Sequence, residues 1–234
     1  MQLSRDSNVG KSNSKSLDQA RLIGFLGHNV SSESILPSGR ISPESKTGEF
    51  LRSLRVGKND LGSYQDWVSN AQAIAQDVFS FTDLTNPKVF VGMEKPNKRK
   101  KTILDYASSN SKHPLILMAG KKFGAGPQND YAAYILRLIG VRAVIAESFD
   151  ENCLQSLICE GLWPMELISK SGIRGLNLSG DEKISVPKFE KMSSTSQQFR
   201  AVISVAKGKK RYIALKIANV TRRERLYLES GGLI

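Results

Sequence analysis

The residues best spaced for chemistry lie in one short run, Lys121-Lys122-Phe123-Gly124-Ala125-Gly126-Pro127-Gln128-Asn129-Asp130. Two glycines one residue apart permit positive φ and close backbone approach. Pro127 suits the first helical position, where a missing N–H costs nothing. The open N–H groups of a helix start then point at whatever lies above the turn, which is the local chemistry of an anion pocket. The run lacks the third glycine of a dinucleotide-binding loop and the acid about 20 residues on that would read a ribose. Gly10-Lys11-Ser12 ends like a phosphate-binding loop, but Arg5 stands where that motif needs glycine and no apolar strand precedes it. Cys153 and Cys159 sit within one helical or turn segment with no His or Cys cluster beside them. They read as packing thiols of a reducing compartment and not as ligands or a disulfide.

The elements that must position the turn follow from periodicity. Leu115 to Ala119 is an apolar strand, Pro127 to Ile139 a helix, and Arg142 to Ala146 a second strand, so the unit is strand, turn, helix, strand. This alternation argues for α/β layering. Upstream, residues 19 to 28 form a structured lead-in, Pro and Gly punctuate a loop-rich stretch with a short helix around Thr47 to Arg55, and Asp66 to Asp77 reads as one helix. Pro87 to Gly92 reads as a short strand, and Thr102 to Ala107 as the apolar part of a short helix after a basic loop.

At 234 residues with 40% hydrophobic and 24% charged content, the chain can bury a core as a single domain. Charge is what sets it apart: 34 Lys and Arg against 22 Asp and Glu give +12, with pI near 9.7. Such a balance favours polyanions, nucleic acid first and anionic membrane surface second. No apolar run approaches the roughly 18 to 20 residues that cross a bilayer, so no membrane insertion is expected. Residues 1–18 are Ser-rich and basic, as in a mitochondrial targeting segment or a basic arm.

The run "AGKKFGAGPQNDYAAYILRLIGVRAVIAESFDENCLQSLICEGLWPMEL" resembles the signature of the mobile C-terminal domain of the aconitase superfamily. "VSSESILPSGRISPESKTGEFL" is similar to that family's Val-Thr-Thr-Asp-His-Ile-Ser-Pro-Ala-Gly region, and "GSYQDWVSN" occupies the place of its Asn-Ser-Tyr-Gly-Ser-Arg-Arg-Gly-Asn. "GLNLSGDEKISV" and "YLESGGLI" extend the likeness, which runs collinearly over roughly residues 22 to 234 and is nearest the bacterial aconitase and iron-responsive-element-binding branch. The resemblance implies an α/β fold, a swivelling β/β/α domain over residues 19–234. It also implies half of an active site whose iron–sulfur cluster is held by cysteines of three other domains. Neither cysteine here falls at a cluster position, so the expectation is no cofactor and no metal in this chain.

The departures from the family pattern concentrate at the places that the resemblance makes functional. The Ser-Ser-Arg that follows the glycine turn, with its proton-abstracting serine and carboxylate-gripping arginine, is Pro127, Gln128 and Asn129. Asp-His is Glu33-Ser34, the paired arginines are Trp67 and Val68, and a further arginine is Gln76. A deprotonatable oxygen and a bidentate guanidinium are specific roles. No catalytic residue is therefore expected, and the turn reads as a strand-to-helix corner whose Gln128, Asn129 and helix start still have hydrogen bonds to offer an altered ligand.

Basic residues cluster at Lys95, Lys98, Arg99, Lys100 and Lys101, at Lys207, Lys209, Lys210 and Arg211, and at Arg222 and Arg223. Phosphate contacts by such residues give sequence-independent RNA affinity, and Tyr64, Trp67 and Tyr212 are available to stack on bases. The resulting expectation is a non-enzyme: a structural subunit of a mitochondrial-matrix ribonucleoprotein, foremost the mitochondrial ribosome, with RNA and assembly proteins as partners. Two alternatives stand beside it, the small subunit of a split aconitase or isopropylmalate-type hydro-lyase and a structural subunit of another mitochondrial complex.

Overall fold

The computed structural model describes residues 17–80, 90–91, 103–178, 182–187, 198–205 and 209–233. The described chain is a mixed α/β fold built on one eight-stranded sheet. Its strands are β1 (Leu17–Phe25), β2 (Phe90–Val91), β3 (Leu115–Ala119), β4 (Val141–Ala146), β5 (Trp163–Ile168), β6 (Lys183–Val186), β7 (Gln198–Ser204) and β8 (Lys210–Ile217). They lie in the order β2-β1-β3-β4-β5-β8-β7-β6, and β1 pairs with β6 as well, so seven of the strands close on themselves. Closure removes the exposed edges that an open sheet of this size would present.

The lead-in over residues 19–28 is a principal strand of that closure. The first half of β1 runs antiparallel to β6 and its second half parallel to β3. Arg21 pairs with both Lys183 of β6 and Leu115 of β3, and the pairing with β6 carries a bulge between Leu17 and Ala20, where Gln19 takes φ +52° and its N–H donates to Ser185 Oγ at 3.1 Å.

Strands β3, β4 and β5 are parallel neighbours, joined through helices α5 (Asn129–Leu138) and α6 (Glu151–Cys159). A parallel strand covered on both faces needs apolar residues on both, which is why "LILMA" is an unbroken apolar run. Leu115, Leu117 and Ala119 face the helical layer, and Ile116 and Met118 face the interior of the closed sheet. The pairing of β3 with β4 slips by one residue at Arg142, which restores the same alternation from Ala143 onward.

The helical layer holds α1 (Ser32–Ile35), α2 (Lys46–Ser53), α3 (Ala71–Gln76), α4 (Ile103–Ser109), α5 and α6 over one core cluster. The other cluster fills the closed sheet and receives Leu228 from α7 (Arg222–Ser230). Helix α7 opens on a capping box, Thr221 with Glu224, and ends where Gly231 lies against Gly161 so closely that a Cβ on Gly161 would meet its backbone.

Three expected elements differ in their limits. The single helix expected over Asp66 to Asp77 is a 3-10 turn at Tyr64–Trp67 followed by α3, because Asn70 caps a fresh helix by accepting the Ala73 N–H. Helix α5 begins at Asn129, two residues after Pro127, because the chain at Gly126 and Gln128 is still held by Ser32. Of the strand expected over Pro87 to Gly92, Phe90–Val91 is observed and the remainder lies outside the described residues.

Candidate active site

The glycine turn joins the carboxyl end of β3 to α5, and most of its residues are held by a partner from another element. The Lys121 N–H donates to His28 Nδ1 at 2.9 Å and the Lys122 N–H to Ser148 Oγ at 2.9 Å. Phe123 is buried, its N–H on Ser148 O at 3.0 Å and its ring edge-on to Phe149 at 6.1 Å. Gly124 has φ +88° and donates to Val30 O at 2.7 Å, with the Cys153 side chain lying where a Cβ would stand. Gly126 has φ +140°, and a Cβ there would come within 2.5 Å of Ser32 Oγ. Both glycines are therefore required twice over, by conformation and by space.

The segment Val30 to Ser34 lies alongside this turn. Ser31 bridges Ala125, the Ser32 N–H donates to Ala125 O at 3.2 Å, and the Gln128 N–H donates to Ser32 Oγ at 3.3 Å. Helix α1 is capped by Ser31, whose Oγ accepts the Ser34 N–H and lies 3.1 Å from Ser34 Oγ. Glu33 is exposed on its first turn. Ser31 and Ser32 thus tie the start of α1, which carries Glu33 and Ser34, to Ala125 and Gln128, although about 95 residues separate them in sequence.

Trp67 and Val68 reach the same neighbourhood through Tyr131, which stands on α5 and whose hydroxyl donates to Val68 O at 2.6 Å. Trp67 donates its indole N–H to Leu61 O at 2.7 Å and packs on the helical-layer core. Gln76, at the end of α3, turns its amide back to Gln72 O at 3.2 Å, and α3 packs against α5. Gln128 is exposed, whereas Asn129 is buried with Nδ2 on Gly126 O at 2.9 Å and no protein partner at Oδ1.

One buried carboxylate braces this arrangement from below. Asp77 accepts the Lys46 N–H at 3.3 Å, the Thr47 N–H at 3.0 Å and the Tyr64 hydroxyl at 2.7 Å, so the start of α2, the end of α3 and the 3-10 turn leading to Trp67 share one anchor. Burial, followed by the bond to Asp77, pushes the Tyr64 phenol up to about 12. Burial likewise pushes Tyr131 up to about 12.

Ser32, Tyr131, His28 and Asp77 are absent from the sequence-derived site. Ser32 and His28 act through contacts with the turn that no local pattern signals. Tyr131 carried a usable signal, lying one helical turn after Gln128 on the same stripe.

The two thiols do not fit an iron–sulfur cluster. Cys153 is buried against Gly124 and its thiol is pushed up to about 12 by burial, with Asp150 adding to the shift. Cys159 is six residues on, about 120° around α6, and burial raises its thiol too. Among the described residues no three His, Cys, Asp or Glu gather as metal ligands. No described helix is long and apolar enough to cross a membrane.

Of the expected RNA-binding residues, Lys95, Lys98, Arg99, Lys100, Lys101 and Lys207 lie outside the described residues. Lys209 precedes β8, Lys210 and Arg211 begin it, and Arg222 and Arg223 begin α7. Arg211 donates to Leu176 O at 2.7 Å, and Arg223 donates to Tyr227 Oη at 2.7 Å with its guanidinium 5.9 Å from that ring's centre.

Comparison with known proteins places these observations. Residues 71–170 match the model of the aconitase C-terminal domain. Aconitate hydratase A of Salmonella typhimurium is 29% identical over 94% of this chain and 25% of its own length, and that of Escherichia coli is 29% identical over 92% and 25%. Phosphinomethylmalate isomerase of Streptomyces viridochromogenes is 31% identical over 80% of this chain and 23% of its own length. A solved 3-isopropylmalate dehydratase (leuD) from Methanocaldococcus jannaschii is 19% identical, with TM-score 0.48, covering 92% of this chain and 89% of that one. The chain spans about a quarter of the length of the curated relatives it matches.

These relatives correct the functional expectation. The ribosomal, RNA-bound structural subunit has no support among them, since they are two hydratases and an isomerase. The expectation of a non-enzyme, and of rRNA as the principal partner, falls with it. The RNA partner rested on net charge and basic runs, properties of the surface that name no partner by themselves, and the non-enzyme on the replaced residues at the turn. The replaced residues at positions 127–129 are compatible with a changed site as well as with an emptied one.

Proposed function

The chain belongs to the aconitase superfamily through its C-terminal swivel domain, and from that premise we propose that it forms the mobile part of a hydro-lyase. It completes, on a partner that supplies the remaining three-quarters of such an enzyme, a site that removes and returns water on a hydroxy acid. The observation that carries this reading is the collinear likeness to aconitate hydratase A over 94% of the chain.

The chain's own groups have definable tasks. Glycines 124 and 126 bring backbone close to the substrate. The first-turn N–H groups of α5, with the exposed Gln128 side-chain amide beside them, hold a substrate oxygen. Pro127 has no side-chain oxygen to carry a proton, so proton transfer on this side falls to Glu33, the exposed carboxylate on α1.

Co-expression of the chain with a cluster-bearing aconitase-superfamily protein from the same source, followed by assay of hydration on a panel of unsaturated and hydroxy di- and tricarboxylic acids, tests the reading. Turnover should need both components, and Glu33→Gln should lower kcat by about 10²- to 10⁴-fold with little change in KM. If the partner turns over as fast without the chain, the reading is wrong.

A further inference from the structure

A run of basic residues that the glycine turn does not use lies at the same end of the fold. Strands β3, β4 and β5 are parallel and β8 runs antiparallel to β5, so β8 begins, and β7 ends, at the end of the sheet where the turn lies. Hydrogen bonds join the pieces into one rim. Ser148 accepts the Lys122 and Phe123 N–H groups, its neighbour Glu147 accepts the Ile173 N–H at 2.9 Å, and Arg211 donates to Leu176 O at 2.7 Å. Residues 169–178 and 204–212 contain no Asp or Glu. Lys170, Arg174, Lys209, Lys210 and Arg211 are exposed there, and none of them forms an ion pair with a described residue. Tyr212 and Ile168 stand among them, 67% and 38% exposed, and both point outward because Leu167, Ile213 and Leu215 fill the closed sheet. Ile168 pairs with Ala214, two residues from Tyr212, so the two side chains share one outer face. Lys121 and Lys122, also exposed, carry the positive rim to the turn itself.

We infer that this rim is a docking surface for a protein whose facing surface is acidic, with Tyr212 and Ile168 as its apolar anchors. An exposed tyrosine beside an isoleucine, bordered by cations, has the anatomy of an interface centre and its polar border. A second copy of this chain does not fit the surface, because rim against rim sets like charges face to face. A surface of Asp and Glu relieves that repulsion, and its attraction is felt over a Debye length, about 10 Å at 0.1 M salt, before contact is made. Part of the net charge of +12 thus serves association with protein. The inference rests on the chain having the hydro-lyase partner proposed above, and it adds where that partner is met and by what chemistry.

Two charge reversals separate the ideas. Lys209→Glu lies on the rim, and Lys112→Glu, equally exposed and equal in charge, lies just before β3 at the opposite end of the sheet. Association and dissociation rates of the full chain with the cluster-bearing partner protein are measured in a flow-cell binding assay. At about 50 mM salt Lys209→Glu should slow association by about three- to tenfold with dissociation little changed, and at about 300 mM salt the difference should shrink. Lys112→Glu should leave both rates within about twofold. Tyr212→Ala should act on the other rate, quickening dissociation by about tenfold. If the partner binds and Lys209→Glu behaves as Lys112→Glu does in every salt, the inference fails and the hydro-lyase reading stands. If the partner binds in no salt, the reading beneath it fails too. A single-stranded RNA oligomer that binds through Lys209 and excludes the partner would also overturn the inference.

Discussion

Gly124 shows most directly how single residues set this site. It holds φ +88° and has the Cys153 side chain where a Cβ would be. Gly124→Ala should therefore cost about 2–4 kcal/mol, part conformational strain and part overpacking, read from urea denaturation. Adding Cys153→Ala should return the packing part and leave the strain, whereas a double variant no better than the single would place the cost elsewhere. Alkaline stability offers a second test at this scale. Burial holds the Cys153 thiol and the Tyr64 phenol at about 12, whereas unfolded Cys and Tyr ionise near 8.5 and 10. Between those values the unfolded chain has released protons that the folded chain keeps, so stability falls as pH rises from about 9 to 12 and gains no slope from these groups below that. Cys153→Ala should flatten the lower part of that decline in a series of denaturation curves. In the sequence, the motif residues were readable because the turn is local. Ser32 and His28 were not, because their contacts join segments more than 90 residues apart.

At the scale of elements, two tyrosine hydroxyls hold the segment that carries Trp67 and Val68, one through Asp77 and the other from α5. Tyr131→Phe leaves the ring and frees Val68 O. Hydrogen exchange across residues 61–70 should quicken several-fold while global stability changes by about 1 kcal/mol or less; unchanged exchange would show that the bond does not restrain the loop. Thr221→Ala removes a capping box and should cost about 1 kcal/mol in the same denaturation assay. Legibility varied with burial. Strands β3 and β4 were plain because both faces are apolar, and β4 was placed within one residue of its observed start. The break between the 3-10 turn and α3 was hidden because Asn70 fits a helical pattern by spacing and ends it by capping. The antiparallel strands β6 to β8, each polar on one face, gave no unbroken apolar run, and their partnership with β1 is a matter of tertiary closure.

At the scale of the molecule, a net charge of +12 favoured a nucleic-acid partner, and kinship with hydratases and an isomerase outweighs it. Charge sums over the surface, whereas function follows the site, and here the site gathers at the glycine turn, where the start of α1 meets the start of α5. The chain spans about a quarter of the length of its curated relatives, and on the function proposed above its chemistry is expressed against a partner. The most direct test of this account is the rate of water addition by the partner protein with and without stoichiometric amounts of this chain. The account predicts turnover that saturates at one chain per partner. Turnover by the partner alone, unmoved by the chain, would contradict it.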